Sequence, residues 1–245
     1  MPSSTVKLST LLLVLAISTV AVAVTADPTT YHAEYRGEYQ GLPIRATGLR
    51  ELALTEDGHY RLSSSARSAL VTVTEYSDFK LVNNQPVPLA YYYGRKGLGK
   101  NKEESLTFDW DNSTVSENAI MLVSGIQDKL SYQEKLRVDV NRAIHNNSPD
   151  IEFAYDVVDD EKIKTYRFRL AGEEVLATPL GDLRTMKVER IRSSGNRQTT
   201  LWLAMDHECL LVRLKQAEKK RGFELNLQSA TVSGIDISTT GAKQN

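Results

Sequence analysis

Apolar and polar residues alternate along most of this chain, starting with a tyrosine-rich segment. Tyr31, Ala33 and Tyr35 fall on one face of an extended segment, while Glu34 and Arg36 fall on the other. A period of two is typical of a β-strand that buries one face. Similar runs recur at a spacing of roughly 8 to 12 residues, separated by turn-forming residues. The pattern predicts a mainly β protein, built as an antiparallel curved sheet or an open barrel.

One stretch, from Ser124 to Ala143, has helical periodicity instead of alternation. Its apolar stripe, spaced for 3.6 residues per turn, consists of Ile126, Leu130, Leu136, Val140, Ala143 and Ile144. The spacing predicts a single central α-helix at about 126–144, with the sheet wrapped around it. Either Asp128 acts as its N-cap, or Ser131 forms a capping box with Glu134; both arrangements satisfy free backbone N–H groups.

Polar residues of the predicted helix fall both inside and outside the apolar stripe. Gln133 and Arg137 lie within it, so they must find partners or reach its rim if the stripe is buried. If both are bonded inside the stripe, the core is solid; if they face a void, that void is a binding site. The polar face, which is expected to point away from the stripe, consists of Asp128, Ser131, Lys135 and Asp139.

The N-terminal segment differs in composition from the rest of the chain. Lys7 supplies a positive charge, residues 11–24 form a weakly polar run, and small residues precede Asp27. These features predict a secretory signal peptide. The run is shorter than the roughly 20 residues of a membrane-spanning helix, so cleavage is favoured over an uncleaved anchor. The predicted division is a signal peptide over 1–26, a single antiparallel β domain over 27–238, and a flexible tail over 239–245.

The overall composition is that of an ordinary globular protein. The chain has 245 residues, of which 41% are hydrophobic and 25% charged. A formal net charge of −1 argues against nucleic acid as a partner. The single cysteine, Cys209, cannot form an internal disulfide. Because it lies in an apolar run, we expect a buried thiol rather than a reactive one.

Catalytic and metal-binding patterns are weak. Asp128, Ser131 and His145 superficially offer the acid, nucleophile and base of a hydrolase. His145 lies roughly 20 Å from Ser131 along a helix, however, so the interpretation of Asp128 and Ser131 as caps is favoured. The four histidines are scattered singly, without the paired spacing of zinc ligands. We expect no cofactor, no metal and no enzyme activity; a hydrolase centred on Asp128 is the enzymatic alternative.

A second candidate group consists of Trp202, Asp206 and Arg213. Arg213 is expected to pair with Asp206 or Glu189 in a hairpin salt bridge beside a core tryptophan. The alternative is a rim at which Trp202 and Arg213 face a ligand. The 11 tyrosines and 5 phenylalanines leave the same choice open, because aromatic rings can line a concave sheet or fill it completely.

Several short motifs resemble those of a known family. In chain order they are Tyr35–Gly48 with its glycine turn, Phe108-Asp109, Gln127-Asp128-x-x-Ser131, the segment 174–181, Trp202-Leu203-Ala204-x-Asp206 and Val212-Arg213. Together with the signal peptide they resemble the bacterial exported family known as domain of unknown function 3108. One departure is Leu211, where the family often has proline. The resemblance implies a periplasmic location, a sheet curled around a helix as in lipoprotein-carrier half-barrels, and no established activity.

These observations predict a non-catalytic periplasmic protein of the cell envelope that binds a lipid or another apolar or amphiphilic molecule in its concave face. The alternative is a structural or assembly factor that contacts other envelope proteins through a sheet edge or through the loop 94–102. No transmembrane segment is expected after signal cleavage. The residues expected to line a ligand or to support the fold are Asp128, Ser131, Gln133, Arg137, Trp202, Asp206 and Arg213.

Overall fold

A computed structural model describes residues 28–40, 45–115, 120–148, 151–160, 162–192, 195–218 and 221–237. The predicted signal peptide and tail lie outside these described residues. Helix α1 spans Ser131–His145. No helix of the described part is long and apolar enough to cross a membrane.

The strands fall into two consecutive series, one on each side of the helix in the sequence. The first series is β1 Tyr31–Gln40, β2 Arg45–Leu54, β3 Tyr60–Ser68, β4 Val71–Val82, β5 Gln85–Gly97, β6 Lys102–Asp109, β7 Thr114–Val115 and β8 Ile120–Met121. The second series is β9 Glu152–Asp159, β10 Lys162–Thr178, β11 Gly181–Ile191, β12 Arg197–Ala204, β13 Leu210–Glu218, β14 Arg221–Val232 and β15 Ile235–Asp236.

Within the described ranges the two series form one antiparallel sheet of 15 strands. Strands β1 to β8 make one meander and β9 to β14 another, and the two join because β1 pairs with β14. Over the described residues the main path ends at β8 on one side and at β9 on the other, so the sheet is not closed into a barrel. The predicted antiparallel curved sheet with one helix is confirmed.

The open ends of the sheet are linked beside the segment that precedes the helix. Gln127 donates its backbone N–H to β9 at 2.8 Å and accepts a backbone bond from β9 at 2.9 Å. Lys129 lies 2.7 Å from Glu104 of β6 and 3.9 Å from Asp159 of β9. Side chains and one parallel bridge therefore connect this segment to β6 and β9, two strands that no ladder joins in the described part of the chain.

The helix begins at Ser131, so the predicted start near residue 126 is wrong. Ile126 and Leu130 are buried, as their spacing indicated, but both precede the helix. Between them, Gln127 forms its two backbone bonds with β9, and a residue in a helix could not make both. The apolar spacing begins before Ser131 because Ile126 and Leu130, which precede the helix, are buried as well.

Asp128 provides the cap of the first turn. Its Oδ1 accepts the backbone N–H groups of Leu130 and Ser131, both at 2.7 Å, and Ser131 Oγ accepts the N–H of Asp128 at 2.9 Å. Glu134 pairs with Arg137 instead of completing a capping box. Asp128 therefore satisfies two backbone N–H groups at the start of α1, as one of the two alternatives predicted, although the N-cap position itself is Leu130.

The polar face of the helix is covered, and the expectation that it points away from the core is wrong for Asp128 and Ser131. Both residues are 0% exposed. Ser77 of β4 donates to Asp128 Oδ2 at 2.7 Å, and Lys135 bonds to the side chain of Gln85 in β5. The sheet curls far enough for β4 and β5 to reach the side of the helix that periodicity assigned to solvent.

Candidate functional site

A cavity of about 220 Å³ lies between α1 and the inner face of the sheet. On β2 and β3, Gly48, Ser64 and Ala66 line it. Further along the same faces of these strands, Leu52 and Leu62 are directly paired and fully buried. Small side chains therefore leave a space at one end of an inner face that large side chains fill at the other.

Apolar groups form most of the cavity wall on the side of β12, β13 and β14. The leucines in this wall are Leu201, Leu203, Leu211, Leu214 and Leu225. The aromatic residues that line the cavity are Tyr31, Tyr35, Tyr132 and Phe168. The Tyr35 hydroxyl donates to the Leu211 carbonyl at 2.9 Å, so this group is already satisfied by the protein. Tyr31 and Tyr35 also belong to the hydrophobic core that contains Tyr91 and Phe108, so they pack in the core and border the cavity.

Arg50 brings a positive charge to the cavity. Its Nε donates to the Tyr31 hydroxyl at 3.1 Å, and its Nη1 donates to Gln133 Oε1 at 2.8 Å. Gln133 in turn donates to the Lys129 carbonyl at 2.9 Å. This chain of bonds fixes the position of Arg50 between β1 and the helix.

Arg137 is the second arginine of the cavity, and it is fully compensated. Its Nη2 lies 2.7 Å from Glu134 Oε1, its Nε lies 3.0 Å from both oxygens of the same carboxylate, and its Nη1 donates to the Glu208 carbonyl at 2.6 Å. The guanidinium also lies 5.4 Å from the centre of the Tyr31 ring. A bidentate pair of this kind fixes the orientation of a buried arginine.

The two outcomes considered for Gln133 and Arg137 occur together. Both residues have hydrogen-bond partners, and both line the cavity. Their bonds run to the sheet and along the helix, and the space remains beside them. Their assignment to a ligand site stays a prediction.

The charges that face the cavity are unequal in number. The charged residues in its lining are Arg50, Arg137, Arg190, Glu75 and Glu134. Burial raises the pKa of Glu75, and the hydrogen bond that its Oε1 accepts from the Tyr91 hydroxyl at 2.6 Å opposes this effect. The lining therefore carries three guanidiniums against two carboxylates, and burial favours the neutral form of one of these, Glu75.

Asp128 and Ser131 do not line the cavity described by these residues, and the structure does not bring them near His145. Burial raises the pKa of Asp128, against the hydrogen bonds that it accepts. His145 is exposed at the far end of α1, with Nδ1 2.8 Å from the Asn141 carbonyl. Within the described ranges, no group of His, Cys, Asp or Glu side chains is arranged to hold a metal ion.

The predicted pairing of Arg213 with Asp206 or Glu189 is wrong. Arg213 Nε donates to Asn226 Oδ1 at 2.8 Å and lies 3.4 Å from Glu224. Both partners belong to β14, which is hydrogen-bonded to β13 alongside Arg213. Glu189 lies two strands away on β11, a separation of roughly 10 Å at the usual strand spacing.

The members of the second candidate group form separate contacts. Asp206, in the turn after β12, lies 3.3 Å from Arg184. Trp202 donates its Nε1–H to Glu174 at 2.7 Å, and the Arg213 guanidinium lies 5.6 Å from its ring centre. Trp202 and Arg213 are therefore close, but neither they nor Asp206 are among the described residues that line the cavity.

Among the polar residues of the cavity that the sequence reasoning missed are Arg50, Arg190 and Thr199. Each had a signal, since Arg50 is in phase with Leu52 on β2, Arg190 with Val188 on β11 and Thr199 with Leu203 on β12. A charged residue in phase with buried apolar residues indicates an inward position. The arginines appeared to belong to ordinary polar faces because the partner strands were not known.

The family model described as "Protein of unknown function (DUF3108)" matches residues 30–228. The chain belongs to this family. The resemblance that the short motifs indicated is thereby confirmed, and the match includes α1 and the strands that line the cavity.

Among solved structures, the DUF3108 chain is similar to a beta-barrel-like protein of domain of unknown function DUF1849 from Brucella abortus. The TM-score is 0.58 at 6% sequence identity, and the match covers 84% of this chain and 98% of that one. At this identity the likeness is one of fold alone. A comparison with curated proteins finds no match.

Proposed function

We propose that this DUF3108 protein is a non-catalytic, exported binding protein that takes an amphiphilic small molecule into the cavity beside α1. The observation that carries the proposal is the cavity itself, which combines a leucine wall with a few polar groups, among them the guanidiniums of Arg50 and Arg190. Ligand sites are concave and mostly apolar, with a few polar groups that orient the ligand. An unfilled void in a core lowers stability, so a ligand in this space would stabilise the fold.

The size of the cavity limits the ligand. At about 220 Å³ it is smaller than the roughly 300–1,000 Å³ of typical drug-sized sites. A single short acyl chain fits this limit better than the several chains of a lipoprotein. The exported and periplasmic location belongs to the proposal and is supported by the predicted signal peptide, 1–26.

The test is to purify the mature chain, residues 27–245, from its natural compartment, extract it with organic solvent and identify small amphiphiles by mass spectrometry. We expect a co-purified acyl compound, and a rise in melting temperature when it is added back to the stripped protein. A ligand stabilises the folded state by about 2.7 kcal/mol when its free concentration is about a hundred times its dissociation constant. A clean extract together with no thermal shift from any acyl compound would contradict the proposal.

A cavity-filling variant makes this test specific to the site. Ala66→Phe places a ring in the cavity, and we expect it to abolish both co-purification and the thermal shift. The matched control is Thr47→Phe on the exposed face of neighbouring β2, which adds the same ring outside the cavity. Loss of binding in both variants would indicate a general effect and would count against this site.

A second candidate function is contact with another envelope protein. It is favoured by two exposed apolar residues, Leu98 in the β5–β6 loop at 67% exposure and Met121 in the edge strand β8 at 73%. Exposed apolar side chains beside a sheet edge can support strand addition or docking. Two results together would favour this function over the first: the purified protein carries no ligand, and Leu98→Ser or Met121→Ser impairs the cell envelope.

A further inference from the structure

One end of the cavity has a polar row that crosses three strands. Thr199 of β12 and Gln216 of β13 are paired in register. Arg190 lies one residue beyond Glu189, which pairs with Thr200, so Arg190 continues the row on β11. The neighbouring row on these strands is apolar and consists of Val188, Leu201 and Leu214. The cavity therefore changes from polar to apolar along its wall.

The Thr199 hydroxyl in this row has no partner among the residues that the structure describes. Thr199 is only 7% exposed, and its Oγ1 is buried without a hydrogen bond to any of them. A buried hydroxyl left unbonded costs on the order of 1–3 kcal/mol, so such groups in a lined cavity indicate where a ligand atom bonds. A hydroxyl can donate to an anionic oxygen.

Among the described residues, Arg190 contacts the ring of Tyr166 and hydrogen-bonds with its hydroxyl but has no carboxylate partner. Its guanidinium lies 3.6 Å from the centre of the Tyr166 ring. Nearby, the buried Nε of Arg192 has no hydrogen bond within the described ranges, and burial together with the charges of Arg190 and Arg197 lowers the pKa of Arg192. In the part of the chain that the structure describes, neither Arg190 nor Arg192 has an acidic side chain within ion-pair distance.

The other groups around this end do not balance the two arginines. Arg197 is already paired with Glu218 at 3.1 Å. The Tyr166 hydroxyl donates to Asp159 at 2.7 Å, and Asp159 also pairs with Lys164. Tyr132 of α1, which faces Arg190, is a neutral phenol whose pKa burial raises to about 12.

Arg190, which lines the cavity beside Arg192, differs from the other two arginines of the lining, and this difference indicates where a ligand's charge would bind. Arg137 has Glu134 as its carboxylate partner, and Arg50 is fixed by Tyr31 and Gln133. At the β11–β12 end, by comparison, Arg190 and Arg192 have no carboxylate partner and the Thr199 hydroxyl has no hydrogen bond among the described residues. Guanidiniums form strong, directional hydrogen bonds with carboxylate and phosphate oxygens.

We infer that the ligand is an anionic amphiphile whose charged oxygens bind Arg190 and Thr199, while its apolar chain lies along Leu201 and Leu214. Arg192 adds positive charge beside the same group. This inference rests on the proposed function and specifies the chemical class of its ligand.

The test compares three probes of equal chain length, octanoate, 1-octanol and octylammonium, by isothermal titration calorimetry with the mature chain. We expect octanoate to bind most tightly. Arg190→Gln should weaken octanoate about tenfold or more and change 1-octanol less than about twofold, because only the charged hydrogen bonds are lost. Thr199→Val should weaken octanoate about threefold, and Arg190→Lys should retain part of the affinity.

The control is Arg169→Gln on the outer side of neighbouring β10, where Arg169 pairs with Glu189. Octanoate affinity in this variant should match that of the wild type. The inference would be overturned if octanoate and 1-octanol bound equally and Arg190→Gln changed neither affinity. Tighter binding of octylammonium would also overturn it. Either result would leave the proposed function intact. If none of the three probes binds, and Ala66→Phe changes no melting temperature in their presence, the proposed function fails as well.

Discussion

The two ends of the inner face differ in how they are filled, although the same helix covers both. At the packed end, Phe79, Tyr91 and Leu106 are 0%, 1% and 5% exposed. At the cavity end, the inward positions of β2 and β3 hold the small residues Gly48 and Ala66, and a space of about 220 Å³ remains. The backbone arrangement is shared, so the size of the side chains on β2 and β3 determines where the core is open.

The two sides of the cavity also differ in whether their arginines have carboxylate partners. Arg137 is bonded to a carboxylate and a carbonyl of the protein, whereas Arg190 contacts a ring and has no carboxylate partner among the described residues. A compensated arginine supports the fold, and an uncompensated one is available to a ligand. Substitutions can test each side of this difference.

The largest expected effect comes from removing the partner of the compensated arginine. Glu134→Ala leaves the Arg137 guanidinium buried without its carboxylate, and the free energy of unfolding should fall by about 3–5 kcal/mol. Urea denaturation of the variant and the wild type measures the difference.

A double variant separates the lost charge pair from lost packing. Glu134→Leu combined with Arg137→Met replaces both charges by apolar groups of similar size, and we expect stability within about 1 kcal/mol of the wild type. Equal destabilisation by the single and the double variant would show that shape rather than charge matters at these positions.

The next effect compares the two ends of the inner face directly. Phe79→Ala opens a cavity in the packed end and should lower the free energy of unfolding by about 3–4 kcal/mol. Leu214→Ala enlarges a space that already exists beside a half-buried side chain, so a loss of about 1 kcal/mol is expected. Urea denaturation of both variants under one set of conditions gives the comparison. Equal losses would mean that the cavity wall is as tightly packed as the core.

The alternation of residues predicted most of the fold, because the inward face of a strand is a local property. Tyr31, Ala33 and Tyr35 are buried as predicted, and the strand containing them pairs on both sides. The start of the helix was not predictable in this way. Gln127 leaves the helical pattern because of bonds to β9, about 30 residues further along the chain, which no local pattern encodes.

The candidate site depended even more on long-range pairing. Gln133 and Arg137 could be placed near the centre of the molecule from helical spacing alone. Arg50 and Arg190 could not, because each becomes a cavity residue only when its strand is positioned against α1. The partner of Arg213 was misassigned for the same reason, since the residue beside it is set by the register of β14.

The smallest expected effect concerns Glu75, whose carboxylate faces the cavity and accepts a hydrogen bond from the Tyr91 hydroxyl. Because burial raises its pKa in the folded protein, the folded state holds the proton more tightly than the unfolded state. The stability that protonated Glu75 contributes should therefore be lost as pH rises from its ordinary pKa through the raised one. Glu75→Gln removes this titration, so the stability of the wild type relative to the variant should decrease over that window.

Urea denaturation from about pH 4 to about pH 8 measures the difference, with exposed Glu56→Gln as the control. A relative stability that increases with pH would mean that the arginines of the cavity outweigh burial at Glu75.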